Sequence, residues 1–365
     1  MERLRALILG CGGVSRHYGA ASLTDAAPIH IAGCFDRDRQ KAEAFSAGFG
    51  VRAFLSEEEL LADEAQFVCV LTPNPFHVAN VLSAIHTGHD VLCEHPLCVD
   101  PSDLQMIINE SQKCRRTVFV MRQRRFSRSA QFLKKLIETN ALGRVRRCRG
   151  SVIWSRNAEY YASRPWQREA HYGGVTLNQA SHFLDLFCYL FGPGKVIASV
   201  RGNIGREMPA EDAVSVSIQF NEAAADLFAT TSAEDGYNDG LLEVTFDEGT
   251  VYCLGKEWDT VAMSPALRKV SDFPSMQWWS RFRGDHQDYL NLLRLWLQGR
   301  EGGEAVTALD ADSSVRLLSD VRNGWTMNTA QLTDALAASR QRLEWVRRKQ
   351  ARRGERSTEG CLIAV

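Results

Sequence analysis

The chain has no run approaching the roughly 18 apolar residues that a membrane span needs. It has no excess of either charge. Lys and Arg total 43 against 44 Asp and Glu, which argues against a global attraction to nucleic acid. Its ten cysteines include no Cys-x-x-Cys pair, and no Cys/His set has zinc spacing, so no metal centre is expected. Cys34, Cys69 and Cys93 fall inside apolar runs and read as small buried hydrophobes of a reducing compartment. The first residues hold an apolar stretch too short for a signal h-region, and it runs straight into glycines. The expectation is a cytoplasmic protein with no membrane or nucleic-acid partner. Apolar residues make up 45% of the 365, an ordinary globular content, and the length suits about two domains.

The N-terminal half carries a recognisable order of motifs. Leu4 to Leu9 is a short apolar run, read as a fully buried strand. It flows into Gly10-Cys11-Gly12-Gly13-Val14-Ser15, a G-x-G-x-x-S form of the dinucleotide turn. Gly10 permits the tight turn, Gly12 lets backbone approach a pyrophosphate, and Ser15 is small enough for close helix–strand packing. The amides of the following helix would face the phosphates. A second strand, Ile29 to Phe35, ends at Asp36, whose carboxylate suits ribose hydroxyls and repels a 2′-phosphate. NAD is the cofactor expected, with NADP possible because Arg37 and Arg39 follow. Strand Phe67 to Leu71 precedes Thr72, Pro73, Asn74 and His77, and strand Asp90 to Cys93 precedes Glu94-His95-Pro96. Both loops stand at strand C-terminal ends, where α/β sheets bind ligands.

This order of motifs resembles the glucose–fructose oxidoreductase/inositol dehydrogenase/MocA family. The resemblance implies an α/β Rossmann domain followed by an α+β domain with a large open, mostly antiparallel sheet that commonly makes the oligomer contact. It implies cofactor contacts from Gly10, Gly12, Gly13, Val14, Ser15, Asp36, Arg37, Thr72, Pro73, Asn74, His77, Glu94 and His95. In the family the base or relay is commonly the lysine of Glu-Lys-Pro, and here His95 stands in its place.

Ser102 to Cys114 reads as a helix and Thr117 to Met121 as a strand, and Arg122-Gln123-Arg124-Arg125-Phe126 marks the crossover, read as a solvated linker or a substrate contact. Strands are expected at Val145 to Trp154, Val196 to Gly202, Ala213 to Phe220, Ala223 to Thr231, Leu241 to Phe246 and Thr250 to Leu254, with a hairpin turn at Asp247-Glu248-Gly249. Between the first two lies Gly173-Gly174-Val175-Thr176-Leu177-Asn178-Gln179-Ala180-Ser181-His182. Asn178, His182 and Asp185 are spaced i, i+4 and i+7, which on an α-helix puts them on one face lining a cleft. The stretch is similar to the family signature, whose acidic or amide residue maps to Asn178 and whose catalytic-site histidine maps to His182. Trp166 and Arg168 resemble a pair found near cofactor and substrate in sugar-acting members. Tyr161, Arg164, Trp166, Arg168, Asn178 and His182 form the candidate substrate set, and His95, His182 and Asn178 the candidate catalytic set.

The division expected is a Rossmann domain over 1–121, a substrate and oligomerisation domain over 122–335 and a basic tail over 336–365. Arg340 to Arg356 holds eight basic and two acidic residues and reads as a helix with a solvated basic face. Apolar positions in the second domain's sheet exceed what one helix layer would bury, so a homodimer or homotetramer is expected. The function expected is hydride transfer between a nicotinamide and a secondary alcohol of a small carbohydrate. The loss of the lysine leaves two alternatives open: glycoside cleavage through a transient keto sugar, and a non-catalytic nucleotide-binding or regulatory role.

Overall fold

The computed structural model describes residues 4–23, 29–263 and 307–354. They fall into two units, the first running to Phe126 and the second beginning at Ser127. In the first, β1 (Leu4–Leu9), β2 (Ile29–Phe35), β3 (Arg52–Ala53), β4 (Phe67–Val70), β5 (Asp90–Cys93) and β6 (Val118–Val120) form a sheet in the order β3-β2-β1-β4-β5-β6. Every pairing is parallel. The connecting helices are α1 (Ser15–Ser22), α2 (Arg39–Phe49), α3 (Glu57–Leu61), α4 (His77–His86) and α5 (Pro101–Cys114). Leu7, Leu9, Val68, Val70, Val91 and Val120 are all buried, which is why the strands read as continuous apolar runs rather than as alternation. Helix α2 shows local sequence setting both ends: Asp38 accepts from the Gln40 amide at 3.1 Å, and Gly50 ends the helix at φ 68°.

The units interleave, and this corrects the expected succession of three pieces. Residues 307–315 return to the first unit, where Ala308, Ala311 and Val315 join its core and the Ala308 amide donates to the Val118 carbonyl at 2.8 Å. Arg122 is 2% exposed and donates to Ser314 Oγ at 2.7 Å, and Arg125 is also buried. The arginine run at the crossover is therefore not a solvated linker.

In the second unit, α6 (Arg128–Glu138) precedes β7 (Val145–Trp154), α7 (Ala158–Ala162) and α8 (Ser181–Phe191). Then come β8 (Gly194–Gly202), β9 (Ala213–Phe220), β10 (Ala224–Thr230), β11 (Asn238–Phe246), β12 (Thr250–Leu254), β13 (Thr260–Met263) and β14 (Trp325–Met327). The sheet order is β13-β12-β11-β7-β10-β9-β8-β14. The β7/β10 and β8/β14 pairs are parallel and the rest antiparallel. The β11–β12 hairpin closes with Phe246 donating to the Gly249 carbonyl at 2.8 Å.

A long terminal helix, Thr329–Gly354, lies on this sheet. Its Leu332 packs with Ile153, Val200, Ala213 and Phe228, and its Leu343 and Val346 pack with Leu241, Tyr252 and Leu254. Arg342 meets the Glu243 carboxylate at 2.7 Å and Arg347 meets Asp239 at 2.6 Å, both acids belonging to β11. Arg340 pairs with Glu234. The basic segment is a helix, as expected, but its face is only partly solvated: Arg347, Arg348 and Lys349 are exposed, while Arg340, Arg342 and Arg347 pair with carboxylates beside the sheet. The helix also covers part of the apolar face that the sequence leaves open.

Candidate active site

Four loops of the first unit leave the C-terminal ends of β1, β2, β4 and β5, along one edge of the parallel sheet. The chain's course reverses between β1 and β4, and such a switch point opens a crevice for ligands. Gly10 follows β1 at φ 103°, and a Cβ there would lie 2.7 Å from both the Leu71 carbonyl carbon and the Thr72 amide nitrogen. No L side chain fits that approach. Gly12 differs: a Cβ there would meet nothing within 4 Å. That open space beside turn amides is what a pyrophosphate needs. Gly13 and Val14 complete the turn, and Ser15 opens α1 fully buried, its hydroxyl donating to the Gly12 carbonyl at 2.6 Å.

Asp36 stands at the end of β2. Its Oδ2 accepts from the Cys11 amide at 2.7 Å and its Oδ1 from the Asp38 amide at 2.8 Å. Each carboxylate oxygen keeps a second lone pair, so the group can still accept from two hydroxyls. These residues fit a dinucleotide: Gly10, Gly12 and Gly13 would lie along its phosphates and Asp36 would hold its ribose. The Arg37 guanidinium lies over the Phe76 ring, 4.6 Å from its centre, where cation–π attraction holds it.

The loop after β4 is braced from beneath. Thr72 donates to Asn80 Oδ1 at 2.9 Å, and Asn80 donates to Glu57. Pro73 and Asn74 are half-buried in this loop. His77 is 2% exposed, with Nε2 2.7 Å from the Thr72 carbonyl and Nδ1 2.8 Å from the Pro96 carbonyl. It bridges the loops after β4 and β5. Burial pushes its imidazole below the usual histidine range, although both carbonyls favour the proton. Glu94 is likewise turned inward, its Oε1 accepting from the Tyr18 hydroxyl at 2.9 Å and its Oε2 from the His95 amide at 3.3 Å. Ser15, His77 and Glu94 therefore shape the edge from inside. His95 stays half-buried between the anchored Glu94 and Pro96.

In the second unit the predicted single α-helical face is corrected. Thr176–Ala180 is a π-helical turn, and the α-helix begins only at Ser181. A π turn inserts an extra residue and shifts the phase, so α periodicity does not relate Asn178 to the residues beyond it. Asn178 is half-buried and donates to the Gly174 carbonyl at 2.9 Å. His182 is half-buried one residue into α8, whereas Asp185 is buried at 3% exposure in the interior. The turn rests on Glu211, whose Oε1 accepts from the Thr176 amide at 3.1 Å and whose carboxylate meets Arg201 at 3.6 Å. Tyr161 is buried with its hydroxyl 2.9 Å from Thr231 Oγ1, and burial raises its phenol above the usual range. Arg164 and Trp166 are half-buried, while Arg168 is exposed.

Sequence reasoning missed Tyr18, Asn80 and Glu211. Tyr18 lies 76 residues from Glu94, and Glu211 lies 35 residues from Thr176, so neither pairing leaves a local pattern.

Comparison with known proteins gives a consistent result. Residues 4–122 match the model of an oxidoreductase family with an NAD-binding Rossmann fold, and residues 130–252 match the GFO/IDH/MocA C-terminal domain. The chain is similar to D-apiose dehydrogenase of Paraburkholderia graminis, 21% identical over 319 residues covering 84% of each protein. It is also similar to glucose-6-phosphate 3-dehydrogenase of Bacillus subtilis, 24% identical over 209 residues, which span 56% of this chain and 59% of that relative's length. The solved WlbA dehydrogenase of Bordetella pertussis, in complex with NADH and UDP-GlcNAcA, shares the fold at a TM-score of 0.79 and 22% identity, covering 88% of this chain and 95% of that one. With both family domains present in order, the chain belongs to the GFO/IDH/MocA oxidoreductase family, and its N-terminal domain is an NAD-binding Rossmann domain.

Proposed function

We propose that the chain is an NAD-dependent dehydrogenase acting on a secondary alcohol of a sugar, polyol or sugar derivative. The observation that carries this reading is the meeting, along one edge of the parallel sheet, of the Gly10–Gly13 turn, Asp36 and Glu94-His95-Pro96. The relatives support the substrate class, since their names record dehydrogenation of D-apiose and of glucose 6-phosphate. A bound NAD would supply the acceptor for the hydride of the carbinol carbon. Asp36 holds the ribose hydroxyls and selects NAD over NADP. His95 takes the hydroxyl proton as charge develops on oxygen. A neutral imidazole can do so without the large pKa depression a lysine base requires. The family resemblance assigns the substrate hydroxyls to His182 and Asn178, and the rest of the molecule to Tyr161, Arg164, Trp166 and Arg168.

Two finer points belong to the same proposal. We infer a cytoplasmic protein, which the scattered cysteines support, no disulfide being formed among the described residues. Among the described residues no helix is long and apolar enough to cross a membrane. It also associates into a homodimer or homotetramer through the second unit, which the exposed Ile197 of β8 and Met327 of β14 support.

The test is NADH formation from a panel of polyols, sugars, glycosides and sugar derivatives, with wild type and His95→Ala. Wild type should show an activity limb that rises as the base loses its proton. His95→Ala should abolish that limb and cost about 10²–10⁴-fold in turnover. Near-wild-type turnover in His95→Ala would transfer the role of base to His182. Glycoside cleavage with no net NADH would favour the transient keto-sugar route, and nucleotide binding without any turnover would favour the regulatory role.

A further inference from the structure

Three guanidinium groups of the second unit gather around one pair of tyrosines. Those of Arg156 and Arg164 lie 5.0 and 4.5 Å from the centre of the Tyr160 ring. That of Arg206 lies 5.5 Å from the centre of the Tyr161 ring, and the two rings meet edge to face at 5.3 Å. The arginines come from separate places in the chain: after β7, after α7 and between β8 and β9.

Among the described residues none of the three meets a carboxylate within ion-pair distance. Arg156 Nη1 donates to the Ser155 carbonyl at 2.7 Å and to Asn238 Oδ1 at 2.8 Å. Arg164 Nη1 donates to Ser163 Oγ at 2.9 Å and the Tyr160 carbonyl at 3.5 Å. Arg206 Nη1 donates to the Thr231 carbonyl and to Ser232 Oγ, both at 2.9 Å. All six acceptors are uncharged. Asp212 lies one hydroxyl away from Arg206, through Ser232, and its oxygens also accept from the Ile204 and Gly205 amides. Elsewhere in this unit Arg147, Arg201, Arg340, Arg342 and Arg347 each meet a carboxylate.

The cations are also half-buried, where charge is costly unless something balances it. Ring faces attract a guanidinium but leave its remaining N–H groups to donate. Among the described residues these bonds use Nη1 in all three arginines, which leaves Nη2 to donate. The cluster is joined to the candidate substrate helix, because Gln179 of the π turn donates to the Tyr160 hydroxyl at 3.4 Å.

We propose that the substrate carries an acidic group, phosphate, diphosphate or carboxylate, and that Arg156, Arg164 and Arg206 bind it beside the Tyr160–Tyr161 pair. Guanidinium is the side chain best matched to such groups, because its forked donors engage two oxygens at once. This inference rests on the dehydrogenase reading and names the substrate class for it. Arg156 and Arg206 then become specificity residues that the sequence motifs do not mark.

Two measurements test it on the full chain. In the first, inorganic pyrophosphate is titrated calorimetrically into wild type and into Arg156→Met, Arg164→Met and Arg206→Met, with thermal melts reporting folding. Saturable binding is expected, weakened about 10–100-fold in each folded variant, as for a lost charge-assisted hydrogen bond, with partial recovery in the Arg→Lys counterparts. In the second, NADH formation compares each neutral sugar with its phosphorylated, nucleotide-linked and carboxylate forms. The acidic form should win by at least about tenfold in kcat/KM, and the arm that wins identifies the acid. The Met variants should shrink that preference ratio, chiefly through KM. Absent pyrophosphate binding, or binding equal in all folded variants, overturns the proposal, as does a neutral sugar turned over as well as its acidic forms. Pyrophosphate binding that the variants lose, with no NADH from any compound, would uphold the anion site and sink the dehydrogenase reading instead.

Discussion

The Cys11 amide donates to Asp36 Oδ2 at 2.7 Å, so the glycine turn after β1 and the carboxylate after β2 are one hydrogen-bonded unit. The residue that would read the ribose thereby also fixes the loop that would face the phosphates. Asp36→Ala should act on both. It should weaken NAD binding about tenfold or more and narrow the gap to NADP, as expected when a charged acceptor is removed. Titration of both dinucleotides checks this, and an unchanged preference would remove Asp36 from the selection of cofactor.

The two leading glycines of the turn should fail differently. Gly10→Ala forces a side chain at positive φ into the backbone of Leu71 and Thr72, and should cost about 1–3 kcal/mol or more in urea unfolding. Gly12→Ala meets open space, so its stability should change by less than about 1 kcal/mol while NAD affinity falls. Equal stability losses at the two positions would contradict this division of roles.

His77 gives the first unit a pH dependence of predictable sign. Burial sets its folded pKa below the unfolded value of about 6.5, so below that pH the unfolded chain binds more protons. Its contribution to stability is complete above pH of about 6.5 and is lost as pH falls toward the folded pKa. His77→Gln should flatten this slope between pH 7.5 and 5.5, and should cost about 1–3 kcal/mol at the higher pH by breaking the bridge between the Thr72 and Pro96 carbonyls. An unchanged slope would show that other groups set the acid sensitivity.

The terminal helix is part of the second unit's core, and its removal should be felt there. Leu343 is 1% exposed, so Leu343→Ala should cost about 2–5 kcal/mol. Arg342→Ala leaves Glu243, 7% exposed, without that cation and should cost about 1–3 kcal/mol. Adding Glu243→Gln should recover part of the loss. Near-neutral effects in urea unfolding would mean that the basic segment is only a surface appendage.

Local pattern was enough for much of this protein. Continuous apolar runs marked the buried parallel strands, alternation marked β9 and the Leu242–Phe246 part of β11, and the G-x-G turn followed by an acid at the next strand end marked the dinucleotide edge. These are set by neighbouring residues through allowed φ/ψ and side-chain period, so they are written in consecutive positions. The two-residue β3 and the three-residue β14 are too short to show a period, and they exist because a longer strand offers its edge. The π turn at Asn178 is equally invisible. Its extra residue is accommodated where Glu211, distant in sequence, receives the Thr176 amide. Tertiary structure alone decided that His77 and Glu94 brace the loops from within, that Arg340, Arg342 and Arg347 find carboxylates, and that Arg156, Arg164 and Arg206 meet none among the described residues. Each outcome depends on which groups meet after folding, because a side chain's charge and donors are fixed by its identity while its partner and its access to water are fixed by distance.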